Sequence, residues 1–123
     1  MNARIICVVA LATSTLLYFG DRSIFAEPKG DKVSMTGEVI DLWCYLEGGD
    51  HGADHKQCAI ECAKAGNPIA LLTDKGDIYV MMGSNDHQPG KDVLIDKMAE
   101  TVTVEGILVK KGGVQVIYVS SVK

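Results

Sequence analysis

The chain has 123 residues and a formal charge of −4, from 12 Lys and Arg against 16 Asp and Glu. That length accommodates one domain, and 47% hydrophobic with 23% charged residues excludes wholesale disorder. An acidic balance gives no footprint for a phosphate backbone, so no nucleic-acid partner is expected, and no GxGxxG or P-loop string occurs.

The first segment reads as an address. A short basic start, Met1 to Arg4, precedes the apolar run IICVVALATSTLLYFG and a small residue, Ala26, ahead of Glu27-Pro28. The apolar run is shorter than the roughly 20 residues needed to span hydrocarbon. The pattern predicts a signal peptide over 1–26, a single mature domain over 27–123, and a periplasmic or secreted protein with no membrane attachment after cleavage. Loss of Arg4, Arg22 and Asp21 leaves 10 basic and 15 acidic residues, a charge of −5. Cys7 leaves with the signal, so Cys44, Cys58 and Cys62 remain. An odd number of cysteines in an oxidising compartment excludes a purely internal disulfide framework. At least one thiol is free, bound to something, or paired with another molecule.

Residues 32–46 (KVSMTGEVIDLWCYL) are rich in β-branched and aromatic side chains and read as strand one. Gly37 separates two apolar sets, Val33, Met35 and Val39 from Ile40, Leu42, Cys44 and Leu46, which suggests a β-bulge there. After the loop EGGDHG, residues 53–65 form a helix that Gly66-Asn67-Pro68 stops. Residues 69–73 and 78–82 make a hairpin around a Gly-containing turn. An open loop over 83–90 leads into a modest amphipathic helix over 91–99. Residues 101–109 and 114–122 make a second hairpin, in which VTVEGILV echoes VSMTGEVI of strand one, glycine included.

Setting the first helix aside leaves five strands with one helix between strands three and four. That is the element order of an OB-fold, a five-stranded partly open barrel. The expected fold is therefore mainly β and OB-fold-like, with a Cys/His helix inserted between strands one and two.

The insertion carries the chemistry. His51, His55, Cys58 and Cys62 stand at spacings of four, three and four, which stack side chains on one helix face. Cys44, from the end of strand one, would have to meet that face. Cys44, His55, Cys58 and Cys62 compose a Cys₃His shell suited to zinc, and three thiolates also suit Cu(I). His51 and the loop residue His87 are further possible ligands. The residues alone leave alternatives open. One is a disulfide between Cys44 and Cys58 or Cys62 with one cysteine over, and a loop of that length is worth roughly 3 kcal/mol. Another is inert core thiols, since cysteine packs as a small hydrophobe. A thiol-redox protein is a weaker option, because Glu61 and Asp54 oppose a thiolate. No CxxCH string exists, so covalent haem is not expected, and no paired-carboxylate or Ser-His-Asp spacing supports hydrolysis. Asp41, Trp43 and Tyr45 share a face of strand one, where the two aromatics are read as packing residues. Met81 and Met82 alternate on a strand, so one of them faces inward.

The run Gly37-Glu38-Val39-Ile40-Asp41, Cys44-Tyr45, then His55-x-x-Cys58-Ala59-x-x-Cys62, Gly66-x-Pro68 and Leu71-Leu72-Thr73 resembles a group of small exported bacterial OB-like proteins. The likeness covers most of residues 33–83. It implies the barrel and the compartment, and it implies that Cys44, His55, Cys58 and Cys62 form one cluster. The group has no assigned reaction. The resulting expectation is an exported, non-enzymatic zinc- or copper-binding protein. The alternative is a module that binds a protein or small ligand, with its cysteines as a staple.

Overall fold

Alternating apolar residues pair the strands into a closed barrel of order β1-β2-β3-β5-β4, with β4 returning to β1. The computed structural model describes residues 28–123; the expected signal segment lies outside the described residues. The strands are β1 (Asp31–Asp41), β2 (Ile69–Leu72), β3 (Ile78–Gly83), β4 (Thr101–Lys111) and β5 (Val114–Val122). All pairings are antiparallel except β3 with β5, where Val80 to Gly83 run parallel to Val116 to Val119. This is the mainly-β, OB-like barrel that the element order implied. Closure pairs every strand on both sides and leaves no free edge.

The core fills the barrel with side chains from every strand. Val39, Ile69, Leu71, Met81, Val104 and Ile117 are almost wholly buried. Leu94 and Met98 join them from the connection between β3 and β4. Burying each such side chain is worth about 1.5–3 kcal/mol. The expected amphipathic helix over 91–99 is a single α-turn, α3 (Lys91–Leu94), followed by a 3₁₀ turn at Ile95–Lys97. Ala99, at φ 61, ends it in the left-handed region. Met81 is buried and Met82 exposed, as their alternation required.

The long first strand is shorter than its composition suggested. β1 stops at Asp41, and Leu42–Gly48 forms a helix, α1. Trp43, Cys44, Tyr45 and Leu46 are therefore helical, although Trp43 and Tyr45 are good strand formers. Asp41 decides the matter: its side chain accepts hydrogen bonds from the backbone N–H groups of Trp43 and Cys44, which is an N-cap. Gly49, at φ 76, closes the other end by donating to the Tyr45 carbonyl at 2.8 Å. As a result Trp43 and Leu46 are exposed, at 59% and 69%, and do not pack as expected.

The anticipated bulge at Gly37 is also absent. The β1–β4 ladder passes unbroken through Gly37 and Val102, and the register shift falls at Glu105 and Gly106 on the echoing strand. Gly37 has a different task. β1 changes partner here, from β4 to β2, and a Cβ at Gly37 would lie 2.5 Å from the Leu72 carbonyl oxygen.

The second helix, α2 (Lys56–Lys64), follows a 3₁₀ turn at Ala53–His55 and sits against β1. It buries Ala59 and Ala63, one turn apart, whose small side chains let the helix approach the barrel closely. At its end Asn67 donates to the Cys62 carbonyl and Gly66 to Ala63, both at 3.1 Å, with Gly66 at φ 103. That is the expected glycine stop, and it fixes the last turn, which carries Cys62. Among the described residues no helix is long and apolar enough to cross a membrane.

Replacing Gly37 with Ala forces a Cβ against an unyielding backbone carbonyl. The expected cost is roughly 1–3 kcal/mol, measured by urea unfolding. An unchanged midpoint would show that β1 and β2 can separate locally without loss.

Candidate metal centre

The site lies where β1 ends and the two inserted helices meet. Asp41 is its anchor. Its side chain is wholly buried, and its two oxygens do different work. Oδ1 accepts from Trp43 N at 3.1 Å and Cys44 N at 3.3 Å, which starts α1. Oδ2 accepts from His55 Nε2 at 3.4 Å, which holds the ring at the start of α2. A second bond pins the same corner, from Leu42 N to the Pro68 carbonyl at 2.9 Å.

Two groups of potential ligands share Cys44. The donor atoms of Cys44, His55 and Cys58 all lie within 4.8 Å of one another, and so do those of Asp41, Cys44 and Cys62. The Sγ atoms of Cys44 and Cys62 are 3.7 Å apart. All three thiols are free: Cys44 and Cys62 are half-buried and Cys58 is exposed. The geometry therefore forms a Cys/His cluster able to hold a metal ion. Cys58 and Cys62 stand one turn apart on α2, on a different face from Ala59 and Ala63. The barrel takes one face and the cluster the other.

The cluster's electrostatics favour the protonated thiol at Cys44 and at Cys58. The Asp41 carboxylate accepting from Cys44 pushes that thiol well above its ordinary value, and burial and the neighbouring thiols add to the effect. Desolvation by packed neighbours raises Cys58. An entering cation must displace these protons, and its own charge then reverses the local preference.

Of the expected ligands, Cys44 lies with His55 and Cys58 in one group and with Cys62 and Asp41 in the other; His51 and His87 belong to neither. His51 Nδ1 bonds Glu38 at 3.0 Å, and its ring meets Tyr45 edge-on at 5.9 Å. Glu38 also accepts from the Gly52 backbone, so this pair secures the loop before α2. His87 stands at a loop tip with its side chain 93% exposed, beside Asp86. Cys44 reaches the cluster from α1 and not from a strand end. Asp41 is a site residue beyond those expected from the sequence. The signal for it lay in an Asp ahead of Leu-Trp-Cys and a Gly-Gly pair seven residues on, the marks of a short capped helix.

Asp41→Ala removes the cap and leaves His55 without its partner. Loss of the cap alone predicts a cost of about 0.5–2 kcal/mol by chemical denaturation, with Asp41→Asn recovering part of it. Full recovery by Asn would mean that the carboxylate charge toward His55 contributes nothing.

Lys56, the first residue of α2, bonds Glu100 at 2.7 Å and lowers the Glu100 pKa below its ordinary 4.5. The stabilisation is full above 4.5 and is lost as pH falls through the lowered value. Both side chains are about two-fifths exposed and screened by solvent, so Lys56→Met should lower the urea midpoint only slightly near neutral pH. The difference between the two proteins should shrink in acid; one that persists there would assign the cost to packing.

In comparisons with protein-family models, curated proteins and solved structures the chain finds no match, so the functional argument rests on the geometry of this site.

Proposed function

We propose that the protein is an exported, non-enzymatic metal-binding protein in which Cys44, His55, Cys58 and Cys62 hold a zinc or copper ion. One observation carries the reading. Two thiolates bound at about 2.3 Å to a tetrahedral zinc lie about 3.8 Å apart. The Sγ atoms of Cys44 and Cys62 are separated by 3.7 Å, a distance that suits a shared ion and is far from the roughly 2.05 Å of a disulfide.

The surroundings support the same reading. A metal-ligating imidazole usually gives its second ring nitrogen to a carboxylate, which fixes the tautomer and the ring plane. With His55 Nε2 facing Asp41, Nδ1 is the nitrogen left for an ion. Asp41 then acts as a positioning residue behind the ligand. Three thiols and an imidazole on two helices also explain why small, otherwise marginal helices converge here: the ion would be their main cross-link. The signal-like leader and the likeness to small exported OB-like proteins support export.

A second reading is favoured by a cleft of about 980 Å³ on the barrel, lined in part by Asn67, Met82, His87, Lys91 and Tyr118. It makes the protein a module for a small ligand or protein, with the cysteines as a staple.

Zinc titration separates the two. The metal reading predicts one zinc per chain and a stabilisation of about 2.7 kcal/mol when free zinc stands at a hundred times Kd. Cys58→Ser and Cys44→Ser should lower both affinity and melting temperature under zinc. Uptake that is unchanged in Cys58→Ser would remove Cys58 from the site. A chain whose melting point ignores both zinc and chelators would support the module.

A further inference from the structure

We propose that the cluster is redox-gated: oxidation joins Cys44 to Cys62, takes two ligands from the metal at once, and releases the ion. The inference rests on the metal reading above and adds its regulation.

The pairing follows from geometry. Cys44 and Cys62 are on different helices, with sulfurs already 3.7 Å apart, so a bond of about 2.05 Å needs an approach of roughly 1.7 Å. Cys58 and Cys62 sit one turn apart on α2, whose hydrogen-bonded backbone resists such closure. α1 is the more lightly packed of the two, hinged at its start by the Asp41 cap and the Leu42–Pro68 bond. None of its residues is buried, and the segment joining it to α2 contains Gly49 and Gly52, both at positive φ. A small rotation of α1 carries Cys44 toward Cys62 without disturbing the barrel core. α2, held by Ala59, Ala63 and the Gly66 stop, stays in place.

The consequence for the ion follows from the sharing of Cys44. It belongs to both ligand groups, with His55 and Cys58 and with Asp41 and Cys62. Its loss to a disulfide therefore breaks both. His55 and Cys58 remain, two ligands where a closed zinc site has four.

With hydrogen peroxide as oxidant the step balances. The two thiolates give up one electron each and form the S–S bond. Peroxide takes both electrons and two protons, its O–O bond breaks, and two waters leave. The divalent ion departs with its charge unchanged. Cys58 is left as the one free thiol. A protein disulfide of the thiol-oxidoreductase class serves equally, ending as its dithiol.

The test uses the full chain as the cell processes it, loaded with one equivalent of zinc and treated with stoichiometric peroxide. Released zinc is read with a chromophoric chelator, and linkages are mapped by mass spectrometry after alkylation. The expected result is one zinc released for each 2 Da lost, a peptide linking Cys44 to Cys62, and Cys58 alkylated. Cys58→Ser, treated metal-free, should form the same link. Zinc retained after that mass loss, or a disulfide containing Cys58, overturns the gating and leaves the metal reading standing. A chain that takes up neither zinc nor Cu(I) overturns the metal reading and the gating with it.

Discussion

A carboxylate with no exposed side-chain surface has to spend its hydrogen-bonding capacity inside the protein, because an unpaired buried charge costs several kcal/mol. Asp41 does so in two directions. One oxygen ends the first strand by starting a helix, and the other holds the imidazole that opens the next helix. The position of Cys44 and the orientation of His55 both depend on it. Trp43 and Tyr45 favour a strand, and the cap at Asp41 with the leucines on either side turns the run into a helix that brings Cys44 to Cys62. The centre is thus built by a backbone decision at one residue, and the barrel supplies the rigid frame against which that decision is held.

The frame and the insertion divide their labour. The barrel core is apolar and closed, with Leu94 and Met98 packed into it from the β3–β4 connection. The insertion has almost no core of its own: α1 buries nothing, and α2 buries two alanines. Elements this short are marginal on their own. They are held by capping bonds, by the Lys56–Glu100 pair, and, in the proposed state, by a shared ion. A site on lightly packed helices suits the proposed metal binding, because an ion can enter without opening the barrel core. It also leaves α1, which buries no residue, more lightly packed than α2.

Most of the barrel was legible in the sequence because strand periodicity and glycine turns are local signals. The hairpins at 69–82 and 101–122 follow from alternation and from Gly76 and Gly112-Gly113, and the helix at 53–65 from its Gly-Asn-Pro stop. The HxxCxxxC spacing likewise placed His55, Cys58 and Cys62 near one another. What escaped was set by tertiary context. α1 is the exception, a local feature: Trp43 and Tyr45 continue the strand pattern of β1, and the Asp41 cap and Gly49 close outweigh it. Gly37 looked like a bulge, whereas its need is the nearby Leu72 carbonyl, visible only once β2 is in place. His51 had ligand spacing, but Glu38, thirteen residues upstream, engages it. Strand periodicity puts Asp41 on a strand face, and its role appears only when the strand stops.

The central claim is that the three thiols and His55 hold an ion together. Native mass spectrometry of the protein purified without added metal or chelator tests it most directly, repeated after denaturation without reductant. The account predicts a mass excess of one zinc or copper ion that disappears on denaturation, with Cys44, Cys58 and Cys62 all then alkylated. A metal-free native mass, 2 Da below the reduced value and with one alkylatable thiol, would contradict it and make the cluster a structural disulfide.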